Sequence, residues 1–448
     1  MPERFDVTIL GAGPGGEHAA YALHAAGCRV LLIERELIGG ECTNWACIPS
    51  KTLLRPAEVQ AESTRAAGTD TAALDWPELA RYRDYMTSAG DDSARVKGYE
   101  DMGVTVVKGD GQITGRGTVD VGGEVFKSDK ILISTGSDPV IPPIDGLAQA
   151  GYWTNREATA LDEIPSSIVV IGGGPVGVEL SQFLRRFGSS VAIVQGADRL
   201  AEREDERVCG LLRDGLAGDG IDIHTGVSAE RVRREGDERV VTLSDGTELR
   251  GHRLLIAVGR RPRDAGIGLE ALGVTPGRRG IPIDGRCRVA DGVWAAGDCT
   301  GVMQFTHIAK YQARVAVADM LGRPVEADYR AIPRVIFTDP EIAAVGMTQA
   351  QAREAGHDVA TAHIELSKTI ARPYTYERDP RGELGVVADR SRRVLLGAWA
   401  VSPLASEWIH QAVLAIHAEV SLDTLLQTVA QFPSYSEAYL SALQALEL

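Results

Sequence analysis

The sequence predicts an α/β chain in which one strand–turn–helix–strand unit is built twice and an α+β module follows. Three observations predict it. The glycine clusters Gly11–Gly16 and Gly172–Gly177 each follow a short apolar run and precede a helical stretch. The two units lie too far apart for a solenoid, whose period is ~20–50 residues. The tail 332–448 carries strands and amphipathic helices but no such cluster.

Composition agrees. At ~150 residues per domain, 448 residues suggest about three domains. Hydrophobic residues make up 44%, which excludes a disordered or fibrous chain. The 47 Lys+Arg against 62 Asp+Glu leave a net charge of −15, which speaks against nucleic acid and against anionic membranes as partners. No apolar run approaches the ~18 residues of a membrane span. The start, MPERFDVTILGAGPGG, lacks a basic region and enters a strand directly, so a cytoplasmic protein is expected. Fifty Gly and 5% aromatics fit a fold of tight turns and small-residue contacts.

The elements follow in order. Phe5–Leu10 reads as a buried strand, Gly16–Gly27 as a helix and Cys28–Glu34 as a second strand, one βαβ unit with parallel strands. Pro56–Met102 has helical spacing. Val104–Ile133 alternates like a β-meander, with glycine turns at Gly109–Gly111 and Gly122–Gly123. Pro139–Gly146 reads as a crossing between domains. The second βαβ unit takes Ser167–Ile171, Val176–Gly188 and Ser190–Gln195. Gly277–Asp298 reads as a return to the first domain, ending in a strand at Ala295–Ala296. The tail opens with strands at PRVIFT, GELGVVAD and RVLLGAWAV and closes on the helices SEWIHQAVLAIHAE and SEAYLSALQALEL. A stripe through Ile409, Val413, Leu414, Ile416 and His417 suits a packed helical face.

The chemistry sits at three motifs. Gly11-Ala12-Gly13-Pro14-Gly15-Gly16 is a G-x-G-x-x-G turn between strand and helix, where glycines admit a pyrophosphate onto the helix N-terminus. Glu34, at the end of the second strand, is placed to accept from a ribose hydroxyl. Gly172-Gly173-Gly174-Pro175-Val176-Gly177 repeats the setting with Gln195 at the acid position, and Arg199 and Arg203 follow. A neutral Gln195 tolerates a 2′-phosphate; the plain alternative is two surface arginines. In Cys42-Thr43-Asn44-Trp45-Ala46-Cys47, two cysteines five apart on one helical turn are read as a strained, exposed, catalytic disulfide. A helix dipole and Lys51 favour a thiolate there. A half metal site and two core thiols are the alternatives; no second Cys/His pair has zinc spacing, so no metal is expected. Cys28, Cys209, Cys287 and Cys299 read as structural.

Together these motifs resemble the FAD-dependent pyridine nucleotide–disulfide oxidoreductases, the family of dihydrolipoamide dehydrogenase, glutathione reductase and mercuric reductase. Ser134-Thr135-Gly136, Ala257-Val258-Gly259, Ala296-Gly297-Asp298 and the run Pro333–Thr338 with Pro340-Glu341 extend the resemblance from Phe5 to the C-terminus. It implies two Rossmann-like dinucleotide-binding domains and a C-terminal α+β dimerisation domain. The boundaries expected are an FAD-binding domain over 1–150 resuming over 276–328, an NAD(P)-binding domain over 151–275 and a dimerisation domain over 329–448.

The resemblance also implies roles. FAD falls to Gly11, Gly13, Gly16, Glu34, Lys51, Gly111, Thr135, Gly136, Asp298 and Thr306. NAD(P)H falls to Gly172, Gly174, Gly177, Gln195, Val227 and Gly259, to which the position of Arg199 after Gln195 adds that arginine as a candidate. Glu179 pairs with Lys51, Cys47 faces the flavin and Cys42 meets the substrate. The chain departs from the family at its acid–base. Where His-Pro-x-x-x-Glu is usual, it reads Phe432-Pro433-Ser434-Tyr435-Ser436-Glu437, so the histidine is lost and Glu437 stays. Tyr435 is a weak substitute base, and His410 and His417 read as interface or surface residues. No C-terminal cysteine pair of the mercuric-reductase kind follows.

The expected activity is therefore that of a homodimeric flavoprotein reductase. Electrons pass from NAD(P)H through FAD and a Cys42–Cys47 redox disulfide to an acceptor, a disulfide that needs no histidine base. A diaphorase-like reductase of quinones or metal ions, working from the flavin, is the alternative. A non-catalytic FAD-binding subunit is a third reading.

Overall fold

Parallel strands rich in Ile, Leu and Val need both faces covered, and this chain meets that demand twice. The structure, a computed structural model, describes residues 4–448 and divides into two compact units. The first takes the residues up to Thr52, Ala80–Ile141 and Gly259–Ala327; the second takes Leu53–Leu79, Pro142–Val258 and Asp328–Leu448.

The first unit opens with β1 (Arg4–Leu10), α1 (Pro14–Ala25) and β2 (Val30–Glu34). Its sheet has eight strands. The main path runs Arg288–Ala290, Val293–Ala295, Glu124–Ile133, β1, β2, Thr105–Lys108. All five residues of β2 are buried. Their two-residue period sends Val30 and Leu32 into one core and Leu31 and Ile33 into the other. Pro14 stands at the first helical position of α1, where its missing N–H costs nothing. The expected meander is shorter than read: Thr105–Lys108 pairs parallel with β2, and only Gly111–Gly115, Thr118–Val121 and Glu124–Ile133 form antiparallel neighbours.

The cysteine motif does not lie on one helical turn. Cys42 belongs to the short helix α2 (Gly40–Asn44) and Cys47 is the first residue of α3 (Cys47–Arg65), with the chain breaking helix at Trp45–Ala46. Trp45 has φ −139°, outside helical space, and this break re-aims the second cysteine.

The second unit repeats the arrangement with β3 (Ser167–Ile171), α4 (Pro175–Arg186) and β4 (Ser190–Gln195). A four-stranded parallel sheet runs Asp222–Thr225, β4, β3, Arg253–Ile256. A three-stranded antiparallel sheet, Ala229–Gly251, accompanies it. The tail forms a five-stranded antiparallel sheet in the order Pro333–Ile336, Glu341–Gly346, Val394–Ser402, Glu383–Asp389, Val359–Glu365. The helix His410–His417 packs Ala412, Ala415 and Ile416 inward, with Ile409 just before it buried too. The stripe expected through Leu414 and His417 is corrected. At 100° per residue those two share the opposite face with His410, and Leu414 is 65% exposed. No helix among the described residues is long and apolar enough to cross a membrane.

Candidate functional site

The glycines of the first loop divide their work. A Cβ on Gly11 would stand 2.3 Å from Ser134 O, and one on Gly16 would stand 1.9 Å from Gly11 O. These two let strand and helix meet backbone to backbone. Gly13 is different, because a Cβ there meets nothing nearer than Gly40 Cα at 4.0 Å. Its missing side chain leaves the N-terminus of α1 open, which fits a pyrophosphate. Glu34 is 7% exposed and accepts the N–H groups of Ala12 and Glu36, each at 2.7 Å. Gly111 has no room for a Cβ, with Leu10 Cδ2 at 2.7 Å. Thr135 donates its hydroxyl to Arg263 O at 2.6 Å, and Gly136 has φ +76°.

The second loop copies this plan. A Cβ on Gly172 would meet Ala257 O at 2.3 Å and one on Gly177 would meet Gly172 O at 1.9 Å, while Gly174 has nothing within 4 Å. Gln195 Oε1 accepts the Gly173 N–H at 2.8 Å. Val227 donates its N–H to Gln195 O at 3.4 Å. Arg199 lies 3.6 Å from Glu206 and stays partly exposed. Gly259, with φ +118°, falls in the first unit, apart from the other residues read as nicotinamide-binding.

Cys42 and Cys47 carry thiols, both half-buried. Cys47 stands at the N-terminus of α3, and its Sγ lies 3.3 Å from the hydroxyl of Thr306, the first residue of the helix Thr306–Met320. Cys42 hydrogen-bonds to Cys47, which together with burial pushes its thiol well above the ordinary range. A Thr306 hydrogen bond and the Lys310 charge pull the other way. The Gly39–Gly40 pair seats α2: a Cβ on Gly40 would fall 2.7 Å from Gly13 Cα, so α2 rests directly on the first glycine loop. Asn44 ties α2 down by donating to Ile38 O and Gly40 O at 3.2 and 2.9 Å.

Asp298 receives the Ser137 hydroxyl at 2.6 Å. Burial pushes its carboxyl up, and Ser137 and Arg260 pull it down. Sequence reasoning missed Ser137, Arg260 and Asn44. Each adjoins a motif residue, but no local pattern marks its partner.

Lys51 lies in the first unit; Glu179 and Glu437 lie in the second. Glu179 is 4% exposed and accepts the Phe337 N–H at 2.9 Å. Glu437 Oε2 is buried without a hydrogen-bond partner among the described residues. Phe432 is 70% exposed. Tyr435 does not suit a base. It stacks on Trp408 at 6.0 Å, lies under Arg372, and burial pushes its phenol up to about 12. His410 and His417 are exposed, and His417 Nδ1 sits 3.6 Å from Asp328. Cys209, Cys287 and Cys299 are buried; Cys28 is half-buried. No cluster of three metal-ligating side chains occurs among the described residues.

Comparison with known proteins adds to this geometry. Residues 5–313 match the pyridine nucleotide-disulphide oxidoreductase family, and residues 332–443 match its dimerisation domain. A mercuric reductase from Streptomyces lividans is 34% identical, across 98% of this chain and 96% of its own length. A dihydrolipoyl dehydrogenase from Thermus scotoductus is 33% identical, across 99% and 97%. Among solved structures, the Cu(II) complex of the HOCl-induced flavoprotein disulfide reductase RclA from Escherichia coli superposes with a TM-score of 0.87 at 29% identity, covering 98% of this chain and 99% of that one.

Proposed function

Because the chain belongs to the pyridine nucleotide-disulphide oxidoreductase family, whose members use FAD and NAD(P)H, we propose that it relays two electrons through Cys42 and Cys47 to an acceptor that requires no proton from the protein. It is an oxidoreductase of the flavoprotein disulfide reductase kind. The observation that carries the relay is the placement of Cys42 and Cys47 on two helices, hydrogen-bonded to one another and to Thr306.

The residues present fit both cofactors. Gly13 and Glu34, with Thr135 and Asp298, would hold FAD; Gly174 and Gln195 would hold NAD(P)H. Bound FAD supplies two-electron chemistry between a nicotinamide and a disulfide. This chain's own residues do the rest. The dithiol pair carries its negative charge on Cys47, at the N-terminus of the 19-residue α3 and beside the Thr306 hydroxyl. Cys42 keeps its proton because its thiol is spent on Cys47. In the outgoing step the Cys42 proton passes to the Cys47 thiolate it is hydrogen-bonded to, the Cys42 sulfur attacks one sulfur of the acceptor disulfide and expels one thiolate, and Cys47, after losing that proton to water, attacks the Cys42 sulfur and expels the second thiolate. Two electrons leave with the acceptor, and Cys42–Cys47 is again oxidised.

An ordinary thiol leaving group needs a proton in that step. Phe432 has none to give. The acceptor proposed is therefore an electron-poor disulfide whose thiols leave unaided. A soft metal ion is the second reading, favoured by the likeness to mercuric reductase and to the RclA copper complex; a dithiolate suits such ions. The dimerisation domain supports a twofold homodimer, and we place the enzyme in the cytoplasm. Turnover of a panel of disulfides, quinones and metal ions by wild type and Cys42→Ser tests the relay. Loss of turnover with the best acceptor is expected; full retention would overturn the relay.

A further inference from the structure

Asp298 belongs to a chain of contacts that reaches the redox cysteines. Ser137 is 4% exposed and gives its only hydroxyl proton to Asp298 Oδ2 at 2.6 Å. Arg260 donates from Nε to Ser137 Oγ and from Nη2 to Ser137 O, each at 2.8 Å. Its remaining terminal nitrogen, Nη1, lies 3.5 Å from Glu41, the residue before Cys42. The strand Arg260–Pro262 pairs with Ser137–Pro139, so the backbone holds the guanidinium in register. Gln304 adds a hydrogen bond to Arg260 O at 3.3 Å. All of these residues lie in the first unit.

We propose that Arg260 is a positioning residue: one guanidinium orients the Ser137 hydroxyl toward Asp298 and, through Glu41, anchors the helix that carries Cys42. The inference rests on the reading of Asp298 as a flavin-holding carboxylate. A serine hydroxyl has one proton and two lone pairs. With Arg260 Nε–H on one lone pair of Ser137 Oγ, the hydroxyl proton goes to Asp298. Donors on a half-buried carboxylate favour its charged form. The guanidinium adds its own attraction, and Glu41 opposes it. With Ser137 on Oδ2, Asp298 presents Oδ1 to a ligand hydroxyl. A planar fork makes these three contacts at once, and an ammonium does not.

The test measures FAD dissociation from the full-chain holoenzyme by the fluorescence of released flavin. Arg260→Met is expected to weaken FAD at least tenfold, and Arg260→Lys to restore part of that loss. Ser137→Ala is expected to weaken it too. The double variant should be no worse than the weaker single within twofold, because Arg260 acts through Ser137. Arg260→Met within twofold of wild type, or losses that multiply in the double variant, would overturn the proposal. Asp298→Asn separates the two failures. If it weakens FAD while Arg260→Met does not, the arginine's role is wrong. If Asp298→Asn leaves FAD affinity unchanged, the flavin reading of Asp298 is wrong. The other arm is read by the reduction midpoint of the Cys42–Cys47 pair, which should rise in Glu41→Gln, where a negative charge beside the pair is lost, and fall in Arg260→Met, where its positive partner is lost. A midpoint unmoved in both would overturn the link to the redox helix.

Discussion

Gln195 accepts the backbone N–H of Gly173 at 2.8 Å. Glu34 makes the same contact to Ala12 at 2.7 Å, across the same separation of 22 residues. The two units thus fasten their glycine loops alike and differ in charge. A carboxylate in such a position repels a phosphate, and an amide does not.

The coenzyme prediction follows. Gln195→Glu keeps the Gly173 contact and adds one negative charge. It should lower kcat/KM for NADPH relative to NADH by about one to two decades, the equivalent of ~1–3 kcal/mol of repulsion. Steady-state kinetics with both coenzymes measure it, and an unchanged ratio would show that residue 195 does not face the ribose.

Thr306→Val removes the hydroxyl 3.3 Å from Cys47 Sγ. Loss of a donor to a thiolate raises its pKa. At ~1.5–3 kcal/mol for a hydrogen bond to a charged group, the shift is ~1–2 pH units. The long-wavelength thiolate–flavin absorbance of the two-electron-reduced enzyme should therefore develop at higher pH in the variant. Coincident titrations would exclude Thr306 from stabilising that thiolate.

The missing histidine has two consequences. Turnover with dihydrolipoamide and oxidised glutathione should be poor, and the pH–rate profile should lack the limb near ~6.5 that an unperturbed histidine gives. Phe432→His should raise activity on a generic disulfide without loss of fold, since Phe432 is 70% exposed. Tyr435→Phe should leave the profile unchanged between pH 6 and 9, because the Tyr435 phenol is pushed up to about 12. A new or lost limb in Tyr435→Phe would return that phenol to the list of proton donors.

Asp339 carries the largest stability prediction. Its side chain is 7% exposed and is gripped by Arg65 through two contacts and by Arg186 through one, all at 2.9 Å. Asp339→Ala strips both guanidiniums of this partner. Breaking such a buried pair costs about 3–5 kcal/mol. Urea unfolding should show a midpoint well below wild type; a change under ~1 kcal/mol would mean that Asp219 and Glu377 absorb the charges.

Light scattering should give a dimer. Residues 332–443 match the family's dimerisation domain, and Leu414, Val429 and Phe432 within it are 65, 94 and 70% exposed. A stable, fully active monomer would refute the assembly.

Much of this protein was legible from short stretches of chain. Each glycine loop is defined within about six residues by steric rules, and each follows a mostly apolar strand, interrupted by Asp6 and Thr8 in the first and unbroken over residues 168–171 in the second. The cysteine pair and the absent histidine are local patterns as well. The tertiary structure decided what local pattern does not carry. It broke the cysteine motif into two helices at Trp45, turned Leu414 away from the core, and buried Tyr435 against Trp408. It brought Thr306 to Cys47 across 259 residues and Arg260 to Ser137 across 123. The physical reason is one of range. Steric and periodic preferences act within a turn or a strand, so composition and spacing display them. Hydrogen bonds and charge pairs act only at contact, and which side chains come into contact is set by how the sheets and helices pack.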